Sequence, residues 1–239
     1  MSYACGLRMR RPKIEQSRME HLCYTLYRNR TPALLSPVCH GFLSPLGGSD
    51  VGLQGRILRR QPCKRLDQPE TRQALVRLAP SGLQMQEIPF GDLPLYSYDY
   101  DADYPAVARE FKAAIATVDA VLFVTPEYNR SIPGGLKNAI DWASRPWGQN
   151  SFTRKPSGII GTSPGAIGTA VGQQHLKSIL SFCNSPMMNA IEAYIQFTPD
   201  LISDDGKVSV EATETFLRNY MSEFSNFIGR VLTVYPRTA

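Results

Sequence analysis

From residue 73 onward the sequence predicts an α/β domain built on a mostly parallel sheet with helices on both faces. Three observations predict it. Residues 120–124, Ala-Val-Leu-Phe-Val, form a short, unbroken apolar run of the kind carried by a central strand covered on both faces. That run, and a second strand-like segment at 157–161, each lead through a glycine- and proline-containing turn into an amphipathic helix. Strand-like and helix-like segments alternate to the C-terminus, the order expected of parallel strands joined by crossover helices.

The elements follow in order. QALVRLAP reads as the end of a helix stopped by Pro80. Residues 83–88 alternate well enough for a strand, and 91–105 form a long polar and aromatic loop. Pro105 starts a helix with Val107, Phe111, Ile115 and Val118 at helical spacing. After the strand at 120–125, residues 135–145 form a helix whose apolar set is Leu136, Ala139, Ile140 and Ala143. A strand at 157–161 is followed by the glycine-rich turn SPGAIGTAVGQQ and a helix through Leu180. Residues 190–197 are a candidate strand with an interruption, and a long final helix spans about 210–230.

Composition narrows the function classes. The 43% hydrophobic content is ample for one sizeable core, and no stretch approaches the roughly 18 apolar residues of a membrane helix. The N-terminus is basic but lacks the apolar stretch of a secretory signal. The five cysteines, Cys5, Cys23, Cys39, Cys63 and Cys183, show no metal-like spacing and suit free thiols in a reducing compartment. With only His21, His40 and His175, a histidine-rich metal site is excluded and no metal ligand is assigned. Residues 1–80 carry 14 Lys and Arg against 5 Asp and Glu, and 81–239 carry 12 against 16, so the net charge of +5 divides into +9 and −4. A basic arm can bind nucleic acid. Here, however, the arginines are scattered among Pro, Gly, Cys and Leu, with no lysine block and no aromatic interleaving, so no nucleic-acid partner is assigned.

The segment TPEYNRSIPGGLKNAIDWASRP, residues 125–146, is the strongest functional signal. A turn at the C-terminal end of a parallel strand is where open α/β sheets hold flat or phosphorylated ligands. Pro126 limits the turn's freedom, and Asn129 tolerates uncommon backbone angles. Tyr128 offers either an aromatic wall or helix–sheet packing. Glu127 offers either a local cap or an ion pair, and Arg130 either a phosphate contact or a solvated charge. Trp142 suits the core or an interface, and His175 a helix surface.

This motif, from Thr125-Pro126-Glu127-Tyr128-Asn129 through Ser131-Ile132-Pro133-Gly134 to Lys137-Asn138-Ala139-Ile140-Asp141-Trp142, resembles the NAD(P)H-dependent FMN reductase family, and more closely its bacterial quinone and chromate reductase branch. The turn with Gly161, Thr162, Ser163, Gly165 and Gly168, followed by Gln173 and Leu176, is similar to the family's third flavin loop; Val171 and Thr169 depart from its pattern. The resemblance implies a flavodoxin-like three-layer fold over 73–239. It also implies bound FMN, with NADPH or NADH as electron donor and a quinone, free flavin or other oxidised small molecule as acceptor. The implied cofactor-binding residues are Pro126, Glu127, Tyr128, Asn129, Arg130, Ser131, Ser163, Gly165 and Gly168. No catalytic protein side chain is required, because the cofactor carries the hydride chemistry. A cytoplasmic homodimer or homotetramer is implied, with contacts through the helix after Ile132 and the segment 187–197, and no membrane partner. The alternatives are a non-enzymatic flavodoxin-like electron carrier and a defective family member acting only through protein contacts.

Residues 1–72 depart from this pattern. They contain no clean opening strand, no GxGxxG and no GxxxxGK[ST]; the glycines of GFLSPLGG have the wrong spacing. The family's first strand and its flavin-phosphate loop, of the type GSxRxxSxN, are therefore missing or altered. The region reads as weakly structured or as a separate small domain. A frame shift gives a specific cause: RRQPCKRLDQPETRQAL can be encoded so that a shifted frame, starting inside the codon of Arg60, reads Gly-Ser-Leu-Ala-Ser-Ala-Ser-Ile-Asn-Arg-Lys-Leu-Ala. On this hypothesis, the DNA of the locus read in all frames contains the missing strand and loop upstream of Ala74. Their absence from every frame would sink it.

Overall fold

A computed structural model describes residues 23–29, 53–57 and 69–236. Six strands form one sheet in the order β2-β3-β1-β4-β5-β6, with β1 Cys23–Asn29, β2 Leu53–Ile57, β3 Met85–Glu87, β4 Ala120–Val124, β5 Ser157–Ser163 and β6 Ala193–Gln196. The pairings β2–β3, β4–β5 and β5–β6 are parallel. β1 runs antiparallel to both β3 and β4, so it alone opposes the common strand direction. The helices are α1 Pro69–Leu78, α2 Ala106–Ala116, α3 Gly134–Ser144, α4 Ala170–Phe182 and α5 Glu211–Val234. A 3-10 turn at Tyr98–Asp101 interrupts the loop after β3.

β4 is buried at every position and divides its side chains between two cores. Val121 and Phe123 join one cluster with Phe111, Ile115, Leu136, Ile140, Trp142 and Leu176, from α2, α3 and α4. Ala120, Leu122 and Val124 join the other with Leu75, Leu217, Tyr220, Phe224 and Ile228, from α1 and α5. This is the two-residue alternation of a pleated strand, read out as two helical layers around one sheet. β5 divides in the same way through Ile159 and Ile160. The phenol of Tyr220, fully buried in α5, donates to the Ile159 carbonyl at 2.8 Å and satisfies its polar end inside the core. No described helix is long and apolar enough to cross a membrane.

The structure adjusts several expectations. α2 buries Ala108, Phe111 and Ile115, while Val107 is only half-buried. Val118 lies just beyond the helix but stays in the core. The candidate strand at 190–197 contracts to Ala193–Gln196, after a cis peptide at Ala190–Ile191. Although no clean apolar strand opens the sequence, β1 fills the slot between β3 and β4. Its direction is opposite to its neighbours', so it is not the opening parallel strand of a β-α unit. The residues after it, 30–52, lie outside the described residues, as does the proposed shifted loop up to residue 68.

Candidate functional site

The site is built at the C-terminal ends of β4 and β5, which lie side by side in the sheet. The ladder continues one residue past β4, where the Thr125 amide donates to the Ile160 carbonyl at 3.0 Å. Thr125 is buried, and its hydroxyl donates to the Pro126 carbonyl at 2.9 Å. The chain then makes a closed turn: the Tyr128 amide donates to the Ser131 carbonyl at 2.9 Å, and the Ser131 amide to the Tyr128 carbonyl at 2.8 Å. Between them, Asn129 and Arg130 take φ values of 49° and 65°, the left-handed pair of a type I′ turn. Asparagine accepts this conformation readily, whereas for an arginine it costs about 1–2 kcal/mol. The reciprocal hydrogen bonds therefore hold a turn that residue 130 would not choose, with the side chains of Asn129 and Arg130 exposed.

α3 leaves this turn directly. Pro133 sets its entry angle at φ −56°, and Gly134 is exposed, with open space where a Cβ would stand. No other part of the chain therefore packs closely against Gly134. The expected apolar face is buried as a whole, and Trp142 is fully buried with it. Trp142 gathers the aromatic loop that precedes α2. Its ring stands edge-on to Tyr96 at 5.1 Å and to Tyr104 at 5.0 Å. Its indole N–H donates to the Pro94 carbonyl at 2.7 Å. One turn earlier, Asn138 accepts from the Tyr96 amide at 2.8 Å and donates to the same Pro94 carbonyl at 2.9 Å. Burial, with the hydrogen bond to Asp101 next, pushes the Tyr96 phenol up to about 12. At the far end of α3, the Lys112 ammonium donates to the carbonyls of Ala143 at 2.9 Å, Gln149 at 2.7 Å and Arg145. Burial pulls this ammonium down to about 8, and the charge of Asp101 opposes that shift in part.

The second turn follows β5. Gly161 is the point of closest approach between the two strand ends. A Cβ there would lie 2.1 Å from the Thr125 carbonyl oxygen and 2.6 Å from Thr169 Oγ1, so no side chain fits. The Ser163 hydroxyl accepts from the Gly165 amide at 3.2 Å, and the Gly168 amide donates to the Gly165 carbonyl at 2.9 Å. Residues 164–167 are exposed, including Ile167. Gly168 has φ +57° and is pressed against β6, where a Cβ would lie 2.9 Å from the Tyr194 carbonyl carbon. Of the sequence-predicted residues, 127–131 and Ser163 with Gly165 surround the accessible end of the two strands. Pro126 and Gly168 are buried beneath them.

Sequence reading assigned no role to two residues that hold this arrangement. Gln173, buried in α4, donates to Thr169 Oγ1 at 2.7 Å and to the Ala193 carbonyl at 2.8 Å, tying α4 to β6. Only its match to the family pattern marked it. His175, exposed on α4 as expected, lies 3.1 Å from Ser131 Oγ through Nδ1. Among the described residues, no group of His, Cys, Asp and Glu could hold a metal.

The donor and acceptor set fits the ring of FMN. Two adjacent turns bring the exposed backbone of 129–130 and 164–167 and the hydroxyls of Ser131 and Ser163 beside Tyr128, a combination that suits a flat ring with one polar edge. The sequence lacks the family's GSxRxxSxN phosphate loop, and the stretch proposed to encode it in a shifted frame lies outside the described residues up to residue 68.

Comparisons with known proteins identify the family. The family described as NADPH-dependent FMN reductase matches residues 70–200. A 2-hydroxy-1,4-benzoquinone reductase of Burkholderia sp is 49% identical over 155 residues, covering 65% of this chain and 85% of that protein. A quinone reductase of Pseudomonas putida is 44% identical over 156 residues, covering 65% and 83%. Among solved structures, FerB, a flavoenzyme NAD(P)H:(acceptor) oxidoreductase from Paracoccus denitrificans, superposes with a TM-score of 0.65 at 42% identity, covering 72% of this chain and 93% of that one.

The contact at Gly161 generates a mutational prediction. Gly161→Ala forces backbone apart at the strand ends and lowers unfolding free energy by about 3 kcal/mol or more. Gly134→Ala, with nothing near its new methyl, changes it by no more than about 1 kcal/mol. Urea unfolding midpoints of the two variants check this; equal midpoints would contradict the assigned close approach.

Proposed function

Because the chain belongs to the NADPH-dependent FMN reductase family, we propose that it is an FMN-dependent NAD(P)H oxidoreductase that reduces quinones, free flavin or other oxidised small molecules. The observation that carries this reading is the pair of turns, 126–131 and 163–168, set side by side at the C-terminal ends of β4 and β5. When bound, FMN supplies the redox chemistry, taking a hydride from NADPH or NADH and passing two electrons to the acceptor.

The chain's own residues bind and orient. Backbone groups of 127–131 would hold the polar edge of the ring, and Tyr128 would offer it an aromatic neighbour. Ser163 and Gly165 offer the second set of contacts, while Pro126 and Gly168 fix the backbone beneath. The type I′ turn keeps its donors in place before the ligand arrives, so little ordering cost falls on binding. The exposed stretch 164–167 leaves room for two substrates to use one face in turn. The Arg130 side chain, 67% exposed, is suited to meet a nicotinamide phosphate.

The chain works in the cytoplasm as a homodimer or homotetramer, with neither nucleic acid nor membrane as partner. A groove of about 590 Å³ between α3 and α4, bordered by the exposed side chains of Trp147 and Phe182, supports α3 as a contact surface.

The visible spectrum of the full-length protein, taken after incubation with excess FMN and removal of free flavin, tests the proposal. Retained flavin absorption that bleaches with NADPH or NADH and returns with a quinone is the expected outcome. Colour that does not bleach would make the chain an electron carrier. A folded but colourless protein would refute the reductase reading and leave a role through protein contacts.

A further inference from the structure

Glu127 links the two turns. We propose that its side chain is a positioning group, one that fixes the turn after β4 to the start of α4 while the carboxylate itself does not touch the flavin. The inference deepens the flavin-site reading above and rests on it.

The Glu127 side chain is only 7% exposed, and both its oxygens are used inside the protein. Oε2 accepts from the Gly172 amide at 2.9 Å, and Oε1 lies 3.5 Å from Arg130 Nη1. Gly172 is the third residue of α4, so its N–H belongs to the first turn and has no acceptor within the helix. A residue just before the helix normally caps such a group. Here Thr169 stands at that position and makes no cap bond; its hydroxyl instead accepts from Gln173. The cap comes from Glu127, 45 residues earlier in the chain. It also places a carboxylate at the positive end of the α4 dipole.

Three further contacts fix the spacing. A Cβ on Gly172 would lie 3.0 Å from the Ser131 carbonyl oxygen and 3.3 Å from Glu127 Cγ, so the helix backbone rests directly on the turn. One helical step later, His175 meets Ser131 Oγ at 3.1 Å. The turn after β5 runs straight into α4 through Gly168 and Thr169. Fixing the first turn of α4 to residues 127–131 therefore fixes the distance between the two surfaces assigned to the ring.

Amide hydrogen exchange and riboflavin titration of the full-length chain test the assignment; riboflavin carries the ring without the phosphate. In Glu127→Ala, exchange at 129–131 and at 170–174 rises about tenfold together, the range expected for a lost cap. Amides of β4 and β5 stay within about twofold, and riboflavin binds about tenfold more weakly. Glu127→Gln keeps an acceptor oxygen and restores both readouts to within about threefold. Unchanged riboflavin affinity in Glu127→Ala would overturn the proposal, as would exchange rising equally through β4 and β5, or Glu127→Gln behaving like Glu127→Ala. A wild-type chain that binds no riboflavin would instead refute the ring pocket, and the exchange pattern would then decide the clamp alone.

Discussion

The contact on which the site depends is the approach of the Thr125 carbonyl to Gly161. Parallel strands place their ends together, but side chains normally keep the emerging backbones apart. Here a missing Cβ lets the carbonyl occupy the space a methyl would need, at 2.1 Å from the ideal Cβ position. Thr125 also extends the β4–β5 ladder by one hydrogen bond before the chains diverge. The two turns therefore start from a common, fully buried base and cannot move independently. Glu127 repeats the constraint one layer further out, and Gln173 repeats it on the β6 side.

A second set of contacts fixes α3, which leaves the first turn. Its buried face meets Phe111 and Ile115 of α2 and Val121 and Phe123 of β4 in one apolar cluster. Its outer shoulder is covered by the aromatic loop, bound through Trp142 and Asn138 to Pro94 and Tyr96. Its C-terminal carbonyls are capped by Lys112, a partly buried cation that satisfies acceptors the helix leaves open. Truncating a buried tryptophan of this kind costs about 3–5 kcal/mol. The result is a helix held at both ends and on two faces. It gives the 126–131 turn a rigid anchor on the side away from α4.

Much of this was legible in the sequence because it follows from periodicity. The unbroken apolar run of β4 predicted a strand covered on both faces, and the spacing of Leu136, Ala139, Ile140 and Ala143 predicted the buried face of α3. The sequence around Pro126 and Asn129 signalled a turn with unusual angles, and the turn is of that kind. Other features depend on partners distant in sequence. Nothing near Glu127 marks Gly172 as its acceptor's partner, and a glutamate followed three residues later by an arginine reads first as a local ion pair. That pair exists, at 3.5 Å, but it accompanies the longer-range cap. Val107 was expected in the core because it is β-branched and in phase; the smaller Ala108 sits there instead. The strand Cys23–Asn29, although Cys, Tyr, Leu and Tyr fill four of its first five positions, was missed because it sits in the arginine-rich stretch 1–72, read as a whole as weakly structured. Its antiparallel direction cannot be read from a strand in isolation.

If the turns after β4 and β5 together form the ring-holding end of a flavin site, bound FMN shields both. The amide hydrogen-exchange footprint of FMN on the full-length protein tests this most directly. The expected result is protection concentrated at 127–131 and 163–168, with little change along the groove formed by α3 and α4. Protection confined to that groove, or to only one of the two turns, would contradict it.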